Sequence, residues 1–270
     1  MIVKSLSVAN VRAIEAAEFR FRPGFNLIVG VNGAGKTSVL DSLRVCLSAF
    51  VRHANGLRAR AEGFEREDIR VGANALSVEW PVCVHTQEHQ YVIHKPREAS
   101  APRERGAGMP RKQVHNTPAT ASFLGVPLGR ATGGEPGGRP IAVLFSTRRA
   151  LPSERQPSKQ VAAGGIQAAF ADAFANRALR LGELAAWMRA QDAVRSERAL
   201  AGRALEALET VVGRFLPGYA NLRPDDSKPP RLLIDRGNDT VAVRQVSDGE
   251  RGVLALVLDL TRRLVQGNPE

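Results

Sequence analysis

Residues 25–43, FNLIVGVNGAGKTSVLDSL, divide into an apolar run, a glycine-rich loop and a helical repeat. The run Phe25–Val29, closing on Gly30, suits a strand buried on both faces, as in a parallel sheet covered by helices. From Thr37 to Val51 the apolar residues Val39, Leu40, Leu43, Leu47 and Phe50 recur at helical spacing. Between them Gly30 to Thr37 satisfies GxxxxGK[ST], in the strand–loop–helix setting that gives the pattern meaning. Gly33 and Gly35 let backbone amides approach phosphate oxygens. The helix start presents further N–H groups, Lys36 brings a cation to the terminal phosphates, and the Thr37 hydroxyl is offered to Mg2+. Gly30, Asn32, Gly33, Ala34, Gly35, Lys36, Thr37 and Ser38 are therefore the candidate nucleotide-binding residues. The competing reading is a loop rich in glycine only for turning.

Outward from this stretch, Ile2, Leu6 and Val8, then Phe19 and Phe21, alternate with polar neighbours before a turn at Pro23-Gly24. Residues 77–96 alternate again, with Val78, Trp80, Val82 and Val84 before a polar turn and Tyr91 and Ile93 after it, which predicts an antiparallel hairpin. Residues 97–139 are dominated by Pro, Gly, Arg and Thr and read as a flexible basic insertion. Ile141–Phe145 is a second short apolar run with the character of a buried strand. An alanine-rich helical lobe is expected over 163–215, with Phe170, Phe174, Leu181, Leu184 and Met188 on one stripe and Leu205, Leu208, Val212 and Phe215 on another. Pro217-Gly218 ends it. A hairpin about Gly237-Asn238 and a last helix near 249–264 complete the chain.

The chain has 270 residues, 43% of them hydrophobic, enough to fill a sizeable core and to exclude wholesale disorder. No run approaches the roughly 20 apolar residues of a membrane helix, and the amino terminus lacks signal-peptide character. A soluble, cytoplasmic chain is expected. Cys46 and Cys83 are too few for a disulfide framework and read as buried thiols, and the five histidines show no metal-binding spacing. The net charge of +11 invites a nucleic-acid partner. Of the 38 basic residues, however, 32 are arginine in an alanine-rich chain, a bias that a GC-rich genome produces without selection for DNA binding. Residues 95–139, with eight basic and three acidic residues, are the candidate DNA contact; a solvated linker is the alternative.

A second motif, Val246-Ser-Asp-Gly-Glu-Arg251, precedes the last apolar helix. Alone it reads equally as a helix cap. With a phosphate loop upstream, Ser247, Asp248, Gly249 and Glu250 become a candidate second phosphate surface.

With LSVANVRAI, FNLIVGVNGAGKTSVLDSL, IAVLFSTRR and VSDGERGVLALVLDLTRRLVQGNPE on the page, the chain resembles the ABC-type ATPase heads of SMC, RecF and OLD-like proteins. Among these it is most similar to the small bacterial ATPases that include the PtuA subunit of Septu anti-phage defence. The resemblance implies an α/β P-loop NTPase with a mixed sheet core, an antiparallel β lobe and a helical lobe, spanning 1–270 as a single head. It implies that Arg12 and Asn32 contact the phosphates of ATP in the same chain. Ser247 and Gly249 would contact the nucleotide of a partner, ATP joining a head-to-tail homodimer. A nuclease or other effector, and DNA, are the further partners it implies, in anti-phage defence or DNA repair.

Heads of this class also carry an apolar strand ending in Asp-Glu, which holds Mg2+ and activates water. The sequence runs only twenty residues past Glu250, so a head lacking its carboxy-terminal part is expected, with no catalytic carboxylate assigned. Leu254–Asp259 imitates that strand, but Leu254, Val257, Leu258 and Leu264 fall at helical spacing and Leu260 stands where the second carboxylate belongs. Gln87 and Gln113 are unsupported candidates for a lobe-bridging glutamine. A guanine-reading [NT]KxD tetrad is absent, which disfavours a GTPase. An ATP-sensing or DNA-docking subunit without hydrolysis is the alternative to an ATPase.

Overall fold

The computed structural model describes residues 2–54, 61–84, 87–98, 120–124, 139–146, 165–175, 179–228 and 230–269. The chain forms two compact units, residues 1–134 and 135–270. Among the described residues no helix is long and apolar enough to cross a membrane.

The first unit is an antiparallel sheet with one long helix. Its strands are β1 (Ile2–Val3), β2 (Ser5–Val11), β3 (Ile14–Arg20), β4 (Ala75–Val84), β5 (Gln87–Pro96) and β6 (Thr120–Leu124). They lie in the order β3-β2-β4-β5-β6, with β1 also paired to β4. The alternation read over 77–96 becomes the β4–β5 hairpin, Trp80 opposite Tyr91. Leu76, Val78, Trp80 and Val82, at every second position of β4, are fully buried. Helix α1 (Lys36–Ala54) brings Phe50 edge-on to Trp80 and Tyr91, with ring centroids 5.8 and 5.9 Å away. Trp80→Ala should therefore cost about 3–5 kcal/mol, read as a lowered urea midpoint of this unit.

Burial in α1 pushes the Cys46 thiol up to about 12, against a smaller opposing effect of its own backbone bond, while Cys83 is half-buried. Cys46 is thus the buried thiol expected of it, whereas Cys83 is less buried than the sequence reading gave. The expected insertion supplies strand β6, an uncharged, proline-free run between Pro118 and Pro127 that pairs antiparallel with β5. The rest of 99–138 lies outside the described residues.

Phe25–Val29 corrects the sequence reading. The segment joins no ladder among the described residues, and Phe25, Leu27 and Val29 are 89%, 73% and 79% exposed rather than buried. An apolar run becomes a buried strand only where neighbours take up its amides and carbonyls, and none of the described strands does so.

The second unit holds α2 (Gly165–Phe170), α3 (Leu181–Ala193), α4 (Ala199–Phe215), the sheet β7 (Tyr219–Pro224), β8 (Leu232–Arg236), β9 (Asp239–Ala242), and α5 (Asp248–Gly267). A 3₁₀ turn, Val243–Gln245, links β9 to the approach of α5. The stripe Phe170, Phe174, Leu181, Leu184 and Met188 is buried as its spacing predicts. Phe215 is not: it is 54% exposed, and Leu216, the C-cap of α4, takes the buried place. Ile141–Phe145 is a second correction. It is extended without a strand partner among the described residues, and the Leu144 N–H donates to the Ala173 carbonyl at 2.9 Å. The last helix buries Leu254, Val257 and Leu258, while Val253, Leu256, Leu260 and Leu264 form an exposed apolar stripe.

Candidate functional site

The glycine-rich loop takes the conformation that its residue types allow. Gly33 and Gly35 have φ of +85° and +88°, where a side chain strains the backbone. A Cβ on Gly35 would also meet Ile14 Cγ1 at 3.2 Å. Helix α1 starts at Lys36, so the amides of Lys36, Thr37 and Ser38 belong to the turn that has no intrahelical acceptor. Lys36 Nζ donates to the carbonyls of Gly30 and Val31, each at 2.7 Å, and so lies back across its own loop. Asn32 and Thr37 are exposed. Ser38, the next residue of this first turn, is buried.

Asn10 and Arg12 both have left-handed backbone, φ 57° and 51°. That conformation is held by two loop bonds, Arg70 N–H to the Asn10 carbonyl at 2.9 Å and Arg12 N–H to the Asp68 carbonyl at 2.7 Å. The Arg12 side chain reaches α1: Nη1 donates to Asp41 at 2.7 Å and Nε to Asp68 at 2.8 Å. Partial burial lowers its pKa, but the bonds to the two carboxylates outweigh this and raise it overall. Asp41 follows Thr37 by one helical turn, so Arg12 lies along the same side of α1 as the Thr37 hydroxyl. Asp68 could not have been read from the sequence, since 56 residues separate it from Arg12. Asp41 carries a local signal, a carboxylate four residues beyond Thr37.

The second candidate group lies in the other unit. Ser247 is the N-cap of α5 and forms a reciprocal capping box with Glu250: its Oγ accepts from the Glu250 N–H at 3.4 Å and donates to Glu250 Oε2 at 2.6 Å. The bond from Ser247 holds Glu250 below the usual carboxylate range, with desolvation opposing and Tyr219 assisting. Asp248 pairs with Arg251. Ser247, Asp248 and Gly249 are exposed. The cap expected of this sequence is therefore formed, and the surface beside it is open.

Asp259 is buried in mid-helix and held by Arg262 and Arg263, each at 2.8 Å, in keeping with the helical reading of Leu254–Asp259. Gln87 pairs with Val84 at the β4–β5 turn, and Gln113 lies outside the described residues.

Comparison with known proteins bears on the first unit. Residues 5–103 match the AAA domain family. That span takes in the β2–β3 hairpin, the phosphate loop, α1 and the β4–β5 hairpin. A probable ATPase of retron Ec83 from Escherichia coli is 39% identical over 67 residues, which are 25% of this chain and 12% of the relative. The DNA replication and repair protein RecF of Klebsiella pneumoniae is 35% identical over 80 residues, 25% of this chain and 22% of that protein. The chain thus spans 12% and 22% of the length of these two relatives. Among solved structures, RecF with an ATP analogue gives a TM-score of 0.49 at 15% identity, covering 97% of this chain and 80% of that one. The SMC head domain of Thermotoga maritima gives 0.48 at 14% identity, covering 100% and 75%. The domain match and the two relatives make this chain similar, over part of its length, to AAA-domain ATPases and RecF, in keeping with the α/β P-loop fold class read from the sequence.

Proposed function

We propose that this chain is the ATP-binding portion of an ABC-type ATPase that closes on a second copy of itself around ATP and gates a DNA-directed process, in repair or in anti-phage defence. The observation that carries the reading is the phosphate loop: two left-handed glycines, free first-turn amides and Lys36 folded over the Gly30 and Val31 carbonyls. Gly30 and Asn32 to Ser38 cradle the phosphates, and Lys36 turns from its own carbonyls to the terminal phosphate oxygens. Arg12, steadied by Asp41 and Asp68, adds a second cation. The exposed Thr37 hydroxyl would hold Mg2+, which when bound neutralises phosphate charge. Ser247–Glu250 would meet the nucleotide of the other copy, their free surface and helix amino terminus suiting an anion. A partner nuclease or other effector, and a cytoplasmic setting, complete the reading.

One observation favours a second reading, an ATP-sensing subunit without hydrolysis. The carboxylate of the apolar-run-then-Asp pattern that follows the second motif, Asp259, is engaged by two arginines.

Titration calorimetry with Mg-ATP and light scattering with and without ATP test the proposal. The wild-type chain should bind and double its mass. Ser247→Arg should bind ATP with unchanged affinity and stay monomeric. Losing the cap costs about 1 kcal/mol, so the unfolding midpoint is measured alongside. An ATP-dependent dimer of the variant would remove Ser247 from the contact, and a wild type that binds no ATP would overturn the whole reading.

A further inference from the structure

The second unit contains a cavity of about 390 Å³ between the first turn of α3, the loop from Asp225 to Arg231, and the 3₁₀ turn after β9. Its charged lining is all of one sign: Lys228, Arg231 and Arg244, with no carboxylate and no aromatic ring among the lining residues. Lys228 and Arg244 are exposed, and neither makes an ion pair with a described residue. Arg231 is fixed in place, its N–H and Nε donating to the two oxygens of Asp225 at 2.7 and 2.8 Å, so its terminal nitrogens remain for another partner. Asp225 also accepts from the Ser227 N–H at 3.1 Å and from the Ser227 hydroxyl, and its carbonyl accepts from Arg189. The nearest acid on α3, Glu183, is likewise taken up by Arg180 at 2.9 Å. Asp225 and Glu183 are thus held by their own partners, Asp226 is exposed and outside the lining, and Lys228 and Arg244 face one concave space beside the pinned Arg231.

We propose that this cavity is a phosphate site for the backbone of a nucleic acid. A lining with two arginines and a lysine and without carboxylates suits phosphate oxygens, the contacts that position a nucleic acid on a protein. A concave site with one pinned arginine and two free cations suits a phosphodiester held from several sides. Arg244 sits three residues before Ser247, and its carbonyl accepts from Arg251 of α5 at 3.0 Å. Occupation of the cavity therefore bears directly on the approach to the Ser247–Glu250 block. The inference rests on the nucleic-acid part of the function proposed above and is independent of its ATP part.

The test is fluorescence anisotropy of the full chain with a labelled DNA duplex over a range of salt, in a Lys36→Ala background that removes the phosphate loop as a source of binding. Lys228→Ala with Arg244→Ala should weaken binding and make the dependence of log Kd on log salt shallower by about 2, since each phosphate contact contributes about 0.9. The charge-matched control, Arg203→Ala with Arg214→Ala on the exposed side of α4, should keep the parent slope. An unchanged slope in the first pair, or an equal change in both pairs, overturns the site. A parent chain that binds no duplex overturns both the site and the nucleic-acid reading. Inorganic pyrophosphate separates the sources: competition with the duplex that disappears in the Lys228/Arg244 pair supports a shared phosphate site. Calorimetric pyrophosphate binding lost in that pair while the duplex slope stays unchanged would assign the cavity to a free anion instead.

Discussion

Lys36→Ala should lower the affinity for Mg-ATP by at least about 100-fold, or about 2.8 kcal/mol, with little change in the unfolding midpoint. Two charge-assisted bonds to phosphate, each worth about 1.5–3 kcal/mol, account for a loss of that size. The stability argument is separate. Without nucleotide, Lys36 Nζ bonds only to the exposed carbonyls of Gly30 and Val31, which water can satisfy in the variant. Calorimetry gives the first quantity and urea denaturation the second. A variant that binds as the wild type does would show that the glycine-rich loop turns the chain without holding a nucleotide. Equal losses in binding and stability would make Lys36 a brace of the loop.

How far the sequence could be read depended on whether a residue's partners were local. The phosphate loop was legible because its determinants, two left-handed glycines and a helix start, lie within eight residues. The β4–β5 hairpin was legible because an alternating face meets its partner across a short turn, and the Ser247–Glu250 cap because both members sit within one helical turn. The buried strands expected at Phe25–Val29 and Ile141–Phe145 rested on composition alone. Composition shows that a segment can be buried, but ladder partners decide whether it is, and no described strand supplies them. Phe215 failed for a related reason. Helical periodicity extrapolated one residue too far, and at the C-cap the chain turns so that Leu216 faces inward.

Site residues followed the same division. Arg12 was indicated only by resemblance, and its two anchors had unequal visibility: Asp41 lies one turn from Thr37, whereas Asp68 arrives from a distant loop. The cationic cavity was invisible for that reason as well. Lys228 and Arg231 share a loop, but the β8–β9 pair separates them from Arg244, and only folding brings the three to one space and shows that Asp225 is already occupied. Backbone and side-chain bonds from Arg231 and Ser227 hold Asp225 well below the ordinary carboxylate range.

Asp259→Asn should destabilise the second unit by about 3–5 kcal/mol, because it leaves two buried guanidinium groups without their carboxylate. Arg262 and Arg263 are 6% and 2% exposed at the side chain, and each donates to one oxygen of Asp259 at 2.8 Å. Arg263 carries a further load, since its Nη1 also donates to the carbonyls of Ala169 and Ala171 at 2.6 and 3.0 Å and so fastens α5 to the end of α2. An amide keeps the volume but offers one acceptor where the carboxylate offers two, and it cancels no charge. The two tryptophans make the measurement specific, Trp80 lying in the first unit and Trp187 in the core of the second. In a Trp80→Phe background, urea denaturation followed by Trp187 fluorescence should show the lowered midpoint, while Mg-ATP binding stays at the parent value. The opposite pattern, unchanged stability with loss of Mg2+-dependent ATP turnover, would mean that Asp259 leaves its arginines to serve a metal. The rejection of Leu254–Asp259 as a metal-binding strand would then be wrong.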